Sequence, residues 1–198
     1  MRAAGRSGIA RVLDFPSGYG RVLRFLVCRF SGACFTACDL DRQAVEFCSR
    51  TFGASPLYSK SDFREVEIDG EFDLIWCGSL LTHLDRQPTV DLLDLFHKNL
   101  AWNGIVIFTT AGENVGARVR GGITYGLTKE SAFRLVGDYG RMGFAYADYP
   151  GRSGYGISLM SPEWVREQVS RVGNLREVYY GPAAWDHHQD VFALIKAG

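Results

Sequence analysis

The sequence has no excess of either charge: 22 Lys plus Arg balance 22 Asp plus Glu over 198 residues. No net field therefore draws the chain to nucleic acid or to an anionic membrane. No apolar run is long enough to span a bilayer, and the first residues lack the apolar core of a secretory signal. Cysteine is scarce, five in all, and no two form a Cys-x-x-Cys pair. Cys28, Cys34, Cys38, Cys48 and Cys77 sit mostly inside apolar segments, which argues against a disulfide framework and against a zinc site. They read as small core residues of a reduced protein, and the expected compartment is the cytoplasm. There is no internal repeat, low-complexity tract or interdomain linker, so residues 1–198 are expected to form a single domain.

What is present is organised around Val12-Leu13-Asp14-Phe15-Pro16-Ser17-Gly18-Tyr19-Gly20-Arg21. An apolar run ends in an acid, a glycine-containing turn follows, and a segment with helical spacing begins. Glycines at 18 and 20 let the backbone turn sharply and let a ligand approach without meeting a Cβ. A tight turn alone would explain this stretch equally well, so the rest of the chain has to decide.

Residues 1–8 are small and polar and are expected to fray. Ile9–Phe15, Ala33–Cys38, Pro56–Ser59, Phe72–Cys77 and Ile105–Thr110 are short strand-like runs. Between them lie helical stripes: Val22, Leu23, Phe25, Leu26 and Phe30; then Ala44, Val45, Cys48 and Phe52; then Leu92, Leu93, Phe96 and Leu100. Asp41 suits an N-cap and Gly53 a helix end. This alternation predicts an α/β fold, a parallel sheet with helices on both faces. Residues 111–160 break the rhythm. They are rich in Gly, Tyr and Arg, with a helix expected near Lys129–Tyr139 and a hairpin from Phe144–Tyr149 and Tyr155–Met160. Such an insertion reads as a lid or binding element. Ser161-Pro162 starts a helix running to Val172. Leu175–Tyr180 and Val191–Lys196 are then the last strands. The connection Gly181–Asp190 is too short for a crossover helix, so they are antiparallel neighbours.

Asp39 ends the second strand about twenty residues past the glycines, placed to accept from two ribose hydroxyls at the carboxyl edge of the sheet. With these residues in place, the chain resembles class I S-adenosylmethionine-dependent methyltransferases over nearly its whole length. That family carries Asp/Glu-x-Gly-x-Gly-x-Gly after its first strand; here the turn reads Asp14-Phe15-Pro16-Ser17-Gly18-Tyr19-Gly20, with Pro16 in place of the first glycine. The resemblance implies a Rossmann-like seven-stranded sheet of order 3-2-1-4-5-7-6 with the last strand antiparallel. It implies S-adenosyl-L-methionine as cofactor, held by Asp14, Phe15, Pro16, Ser17, Gly18 and Gly20 in the turn. Asp39 would hold the ribose and Leu40 pack on the adenine. Asp62 would accept from the adenine amino group with Phe63 covering the ring, and Cys77, Gly78 and Ser79 would run beside the methionine part. His83-Leu84 looks like a His-hydrophobic pair often found soon after. The closing Trp185-Asp186-His187-His188-Gln189-Asp190 resembles a subgroup associated with glycosyltransferases. A nicotinamide or flavin site fits less well: its third glycine falls on the bulky Leu23, and Asp14 would repel a pyrophosphate.

Methyl transfer requires alignment, and a general base only where the nucleophile must lose a proton. The candidate catalytic residues are His83 and His188, each weighed against a plain structural role. His97 is expected on a solvated helix face without a role, and no metal is expected, since adjacent histidines in extended chain point to opposite faces. Tyr125, Tyr146, Tyr149 and Tyr155 could stack on an acceptor or form the insertion's own core. Arg118 and Arg120 could contact an anionic acceptor such as a phosphorylated sugar, but read first as residues of a solvated loop. The acceptor is expected to be a small molecule or saccharide, taking the methyl on oxygen or nitrogen. Helices that often precede the first strand in this family are missing. The insertion, a second copy forming a homodimer, or a partner chain is expected to cover the acceptor site instead. A catalytically silent binding module of the same fold is the alternative.

Overall fold

A computed structural model describes residues 8–197; the expectation for residues 1–7 lies outside that range. The principal sheet has seven strands. In chain order these are β1 (Arg11–Asp14), β2 (Cys34–Asp39), β3 (Ser55–Tyr58), β4 (Phe72–Cys77), β5 (Leu100–Thr110), β8 (Leu175–Trp185) and β9 (Gln189–Lys196). Their spatial order is β3-β2-β1-β4-β5-β9-β8. The first five pair in parallel, and β9 runs antiparallel to both β5 and β8. The inserted hairpin, β6 (Phe144–Tyr149) and β7 (Arg152–Met160), forms a sheet of its own. The expected order is therefore observed, with two extra strands numbered inside it.

The central apolar runs become strands buried on both faces, whereas the edge strand β3 stays exposed to half-buried. Val12 and Leu13 are wholly buried, as is every residue of β4 except for traces of surface. One face packs on α1 (Leu23–Arg29) and α2 (Arg42–Phe52) through Val12, Leu74 and Ile105. The other packs on α3 (Arg86–Asn99) and α6 (Pro162–Val172), with Leu13, Phe108 and Phe192 meeting Phe96 and Trp164. Helix ends follow their capping residues. Asp41 accepts from the Gln43 and Ala44 amides, and Gly53 closes α2 at φ 68°. Ser161 accepts from the Trp164 amide ahead of the Pro-started α6.

Four local expectations need correction. Phe25 is not on the buried stripe; it is 62% exposed under the Arg24 guanidinium. The short helix α1 turns Leu23, Leu26 and Val27 inward, about a third of a turn away. Residues 113–120 are not loop but α4 (Glu113–Arg120), which buries Val115 and Val119 one turn apart and carries Arg118 and Arg120. The connection 181–190 is mostly strand: pairing continues to Trp185 opposite Gln189, and Asp186 and His187 turn the chain with positive φ. Cys28 and Cys34 are exposed, leaving only Cys38, Cys48 and Cys77 in the core. The insertion has its own core, where α4, α5 (Lys129–Met142) and the hairpin meet around Val115, Leu135, Tyr139 and Leu159.

Candidate active site

The turn after β1 is stitched to the end of β2. The Ser17 amide donates to the Cys38 carbonyl at 2.9 Å, and the Gly18 amide donates to Asp39 Oδ2 at 2.8 Å. Asp39 Oδ1 accepts from the Asp41 amide at 3.0 Å. Gly18 and Gly20 both have positive φ. A Cβ at Gly20 would stand 2.4 Å from the Phe52 ring, so α2 can close on the turn only where residue 20 lacks a side chain. The Gly20 amide donates back to Ser17, so these three amides are engaged within the protein. The Phe15–Pro16 peptide is cis, and Phe15 is buried edge-on against Phe63 and Phe96.

Directly behind this turn stands Asp14, 1% exposed. Neither carboxylate oxygen has a hydrogen-bond partner of ordinary geometry among the described residues. Burial pushes the carboxyl up to about 7, the Asp39 charge adds to the rise, and the Leu23 amide partly offsets it. A buried, unpartnered acid is costly unless something pairs with it, and few folded proteins carry one without a reason.

The turn opens into a cleft of about 410 Å³. Pro16, Ser17, Gly18, Asp39, Gly78, Ser79 and His83 of the sequence-derived set line it together. Asp14 and Phe15 lie behind its wall, and Gly20, Cys77, Leu40, Asp62, Phe63 and His188 are not among its lining residues. Leu40 is 60% exposed. Asp62 caps the 3₁₀ turn Phe63–Glu65 and takes two hydrogen bonds from the Arg64 guanidinium, at 2.9 and 2.6 Å. That pairing, with the Arg64 amide, holds its carboxyl down at about 2.

Several lining residues carried no legible signal. Trp76 and Trp185 pack with ring centroids 4.9 Å apart and form one wall with Tyr19; Tyr155 forms another. Ser79 sits at φ 60°, an uncommon conformation for a residue with a side chain. It is held there by Thr109 and Gln189. The Ser79 amide donates to Thr109 Oγ1 at 2.8 Å, Thr109 donates to Gln189 Oε1 at 2.6 Å, and Gln189 Nε2 donates to Ser79 Oγ at 3.0 Å. Thr109, a polar residue ending an apolar strand, was visible as a pattern break; Gln189 depends on the closing hairpin's register.

The 3₁₀ turn Leu81–His83 delivers His83 to the cleft, with Nδ1 2.7 Å from the Gly156 carbonyl and Tyr155 stacked 5.1 Å away. His188 Nε2 instead meets the Tyr125 hydroxyl at 2.8 Å, and burial followed by the Arg118 charge lowers its pKa. His97 Nε2 pairs with Asn174 Oδ1 at 2.9 Å. Arg118 donates to the His187 carbonyl, Arg120 pairs with Glu113, and Tyr146 donates to Asp148. Among the described residues, no group of three or more His, Cys, Asp or Glu could hold a metal ion. No described helix is long and apolar enough to cross a membrane.

A family model described as a methyltransferase domain matches residues 13–106, from β1 into β5. No curated protein sequence matches significantly. Solved structures do. A S-adenosylmethionine-dependent methyltransferase from Methanosarcina mazei aligns with TM-score 0.68 at 13% identity, over 99% of this chain and 96% of that one. One from Clostridium acetobutylicum aligns at 0.65 and 15%, over 96% and 85%. The 1,6-didemethyltoxoflavin-N1-methyltransferase of Burkholderia thailandensis, solved with its acceptor and S-adenosylhomocysteine, aligns at 0.66 and 15%, over 96% and 72%. At such identities the likeness is one of fold. Residues 13–106, just under half of the chain, thus match a methyltransferase-domain model, and the chain shares the fold of S-adenosylmethionine-dependent methyltransferases.

Proposed function

We propose that the cleft beside Gly18 binds S-adenosyl-L-methionine and that the chain catalyses methyl transfer to a hydroxyl or amine of a small-molecule or saccharide-linked acceptor. One observation carries this reading: the unpartnered, buried carboxylate of Asp14 behind a glycine turn, with Asp39 at the neighbouring strand end. That pair of acids suits a ligand with a cationic amino-acid end and a hydroxylated sugar, and disfavours a phosphate-bearing one. Each Asp39 oxygen accepts one backbone amide and keeps a lone pair for a ribose hydroxyl. Leu40, Asp62 and Phe63 would serve the adenine end, Asp62 sharing its carboxylate with Arg64. Cys77, Gly78 and Ser79 would flank the methionine end, with Ser79 fixed by Thr109 and Gln189.

The bound cofactor supplies the activated methyl group. The protein's part is alignment, which can be worth roughly 7–11 kcal/mol. His83 is the first candidate base. Its Nε2 would take the proton from an acceptor hydroxyl as that oxygen gains the methyl carbon and the carbon–sulfur bond breaks toward sulfur. The proton then passes to solvent. A free ring nitrogen at the cleft favours a hydroxyl acceptor, since a neutral amine needs no base to attack. His188, tied to Tyr125, is the second candidate, one that would have to act on an acceptor reaching past the cleft. The insertion at 111–160 would serve as the acceptor-site lid, with Tyr155 on its cleft side; a second copy or partner chain covering that site would show as a larger mass in solution.

Calorimetry tests the cofactor. Binding should be measurable, and Asp39→Ala should weaken it at least about tenfold, equivalent to about 1.4 kcal/mol. No uptake at millimolar cofactor would overturn the proposal. A second reading, the silent module, is favoured by Pro16 and by the engagement of the turn's amides within the protein. Cofactor binding without release of S-adenosylhomocysteine from any mixture of hydroxyl and amine acceptors would favour it. If the enzyme reading holds, His83→Gln should slow turnover by about 10²–10⁴-fold with cofactor affinity unchanged.

A further inference from the structure

The inserted hairpin touches the turn that carries His83 from both of its strands. Ser158, wholly buried on β7, donates its hydroxyl to the Leu81 carbonyl at 2.7 Å. Two residues earlier on the same strand, the Gly156 carbonyl lies 2.7 Å from His83 Nδ1. A carbonyl oxygen can only accept, so this contact requires the proton to sit on Nδ1. The rival is the Tyr149 hydroxyl, 3.4 Å from the same nitrogen, which could donate to an unprotonated Nδ1. At that length it is much the weaker contact, and the carbonyl wins. Tyr155, stacked at 28° to the imidazole plane, holds the ring's orientation. The other ring nitrogen, Nε2, has no partner among the described residues, on a side chain that lines the cleft. Glycine at 156 lets β7 close on β6: a Cβ there would stand 2.0 Å from the Ala147 carbonyl oxygen across the hairpin.

We propose that the hairpin β6–β7 positions His83, its Gly156 carbonyl fixing the imidazole proton on Nδ1 so that Nε2 is presented to the cleft as a proton acceptor. Gly156 is thus a positioning residue acting through backbone, and Ser158 is the anchor that keeps β7 on the Leu81–His83 turn. The insertion, on this account, is part of the base as well as a cover. This rests on reading His83 as the base, but the tautomer can be measured without cofactor or acceptor.

The chain has four histidines, so nitrogen-15 NMR of the intact, histidine-labelled protein is tractable, with the His83→Gln variant assigning the signal. At a pH where the imidazole is neutral, His83 should show Nδ1 at the protonated limit and Nε2 at the unprotonated limit. Gly156→Ala, which drives β7 away from β6, should move both nitrogens to the intermediate positions of an imidazole exchanging its proton freely. Should that variant not fold, Ser158→Ala removes only the anchoring hydroxyl and should produce a partial shift in the same direction. A proton on Nε2 in the parent protein, equal sharing between the nitrogens, or an unchanged His83 spectrum in whichever variants fold would overturn the proposal. Failure of the cofactor to bind would leave this spectrum as it is, so the two readings fail separately.

Discussion

Asp14→Asn should stabilise the empty protein at alkaline pH while weakening its hold on a cationic ligand. An aspartate in the unfolded chain titrates near its ordinary 3.8; in the folded chain burial, reinforced by Asp39, raises this to about 7. Below 3.8 both states hold the proton and the group contributes nothing. Between 3.8 and 7 the folded state binds the proton and the unfolded state has lost it, so stability falls as pH rises. Above 7 both are ionised and the loss is complete. At about 1.36 kcal/mol per unit, a rise of roughly three units amounts to about 4 kcal/mol at pH 8, of which about 2 kcal/mol is already present at pH 5.5.

Asparagine has nearly the same shape and does not titrate. Whatever its amide loses or gains in that pocket is the same at both pH values, so the pH-dependent difference isolates the carboxylate. The Tm of the variant minus that of the parent should grow between pH 5.5 and 8 by about 4–8 °C, taking about 2–4 °C per kcal/mol for a chain of this size. Other groups cancel because they are common to both proteins. The ligand side has the opposite sense. A cation seated against Asp14 lowers its pKa, so binding expels a proton and tightens as pH rises toward 7, by up to about tenfold per unit. The variant should lose that slope. A Tm difference that stays flat between the two pH values would refute the reasoning, because it would mean Asp14 is already ionised, and therefore partnered, in the empty protein.

Two glycines in positive φ should respond differently to alanine. Gly20→Ala combines a strained backbone with a Cβ 2.4 Å from the Phe52 ring and should lower stability by about 2–4 kcal/mol in urea unfolding. Gly53→Ala meets no neighbour within 4 Å and should cost only about 1–2 kcal/mol. His188 supplies a second pH effect, of opposite sign to that of Asp14. Its folded pKa is lowered by burial and then by Arg118, so the unfolded chain binds the proton more readily, and stability should fall as pH drops through the ordinary histidine value. Comparing Tm of the parent and His188→Gln between pH 7.5 and 5.5 would show it as a parent that loses more on acidification.

How far the sequence could be read depended on how locally each feature is determined. Four of the five parallel strands were legible because each is a short, mostly apolar run that is largely buried, and that burial needs no knowledge of partners; the edge strand β3, exposed to half-buried, gave a weaker pattern. Asp41 and Ser161 were legible because an N-cap binds amides within its own turn, and Gly53 because a helix end in the left-handed region favours glycine. The error at Phe25 came from the same local reasoning: with α1 only seven residues long, a shift of one residue in its inward face moves a ring from core to solvent. The site divides along the same line. Gly18 and Asp39 could be paired from spacing, since two adjacent parallel strands of similar length must bring their ends together. Thr109 showed only as a polar break in an apolar strand, and the parts played by it, Gln189 and Gly156 could not be read. Their part in the cleft depends on antiparallel register and on where an insertion folds back, and register across a long connection leaves no periodic trace in the chain. Asp62 shows the remaining difficulty. Its position after the third strand was readable, but its Arg64 partner lies two residues away on a 3₁₀ turn that the sequence did not announce. A carboxylate that already has a cation is a weaker acceptor for a new donor than the spacing alone implies. Asp14, buried behind the cleft wall with no such partner, is the acid with the most to gain from a ligand.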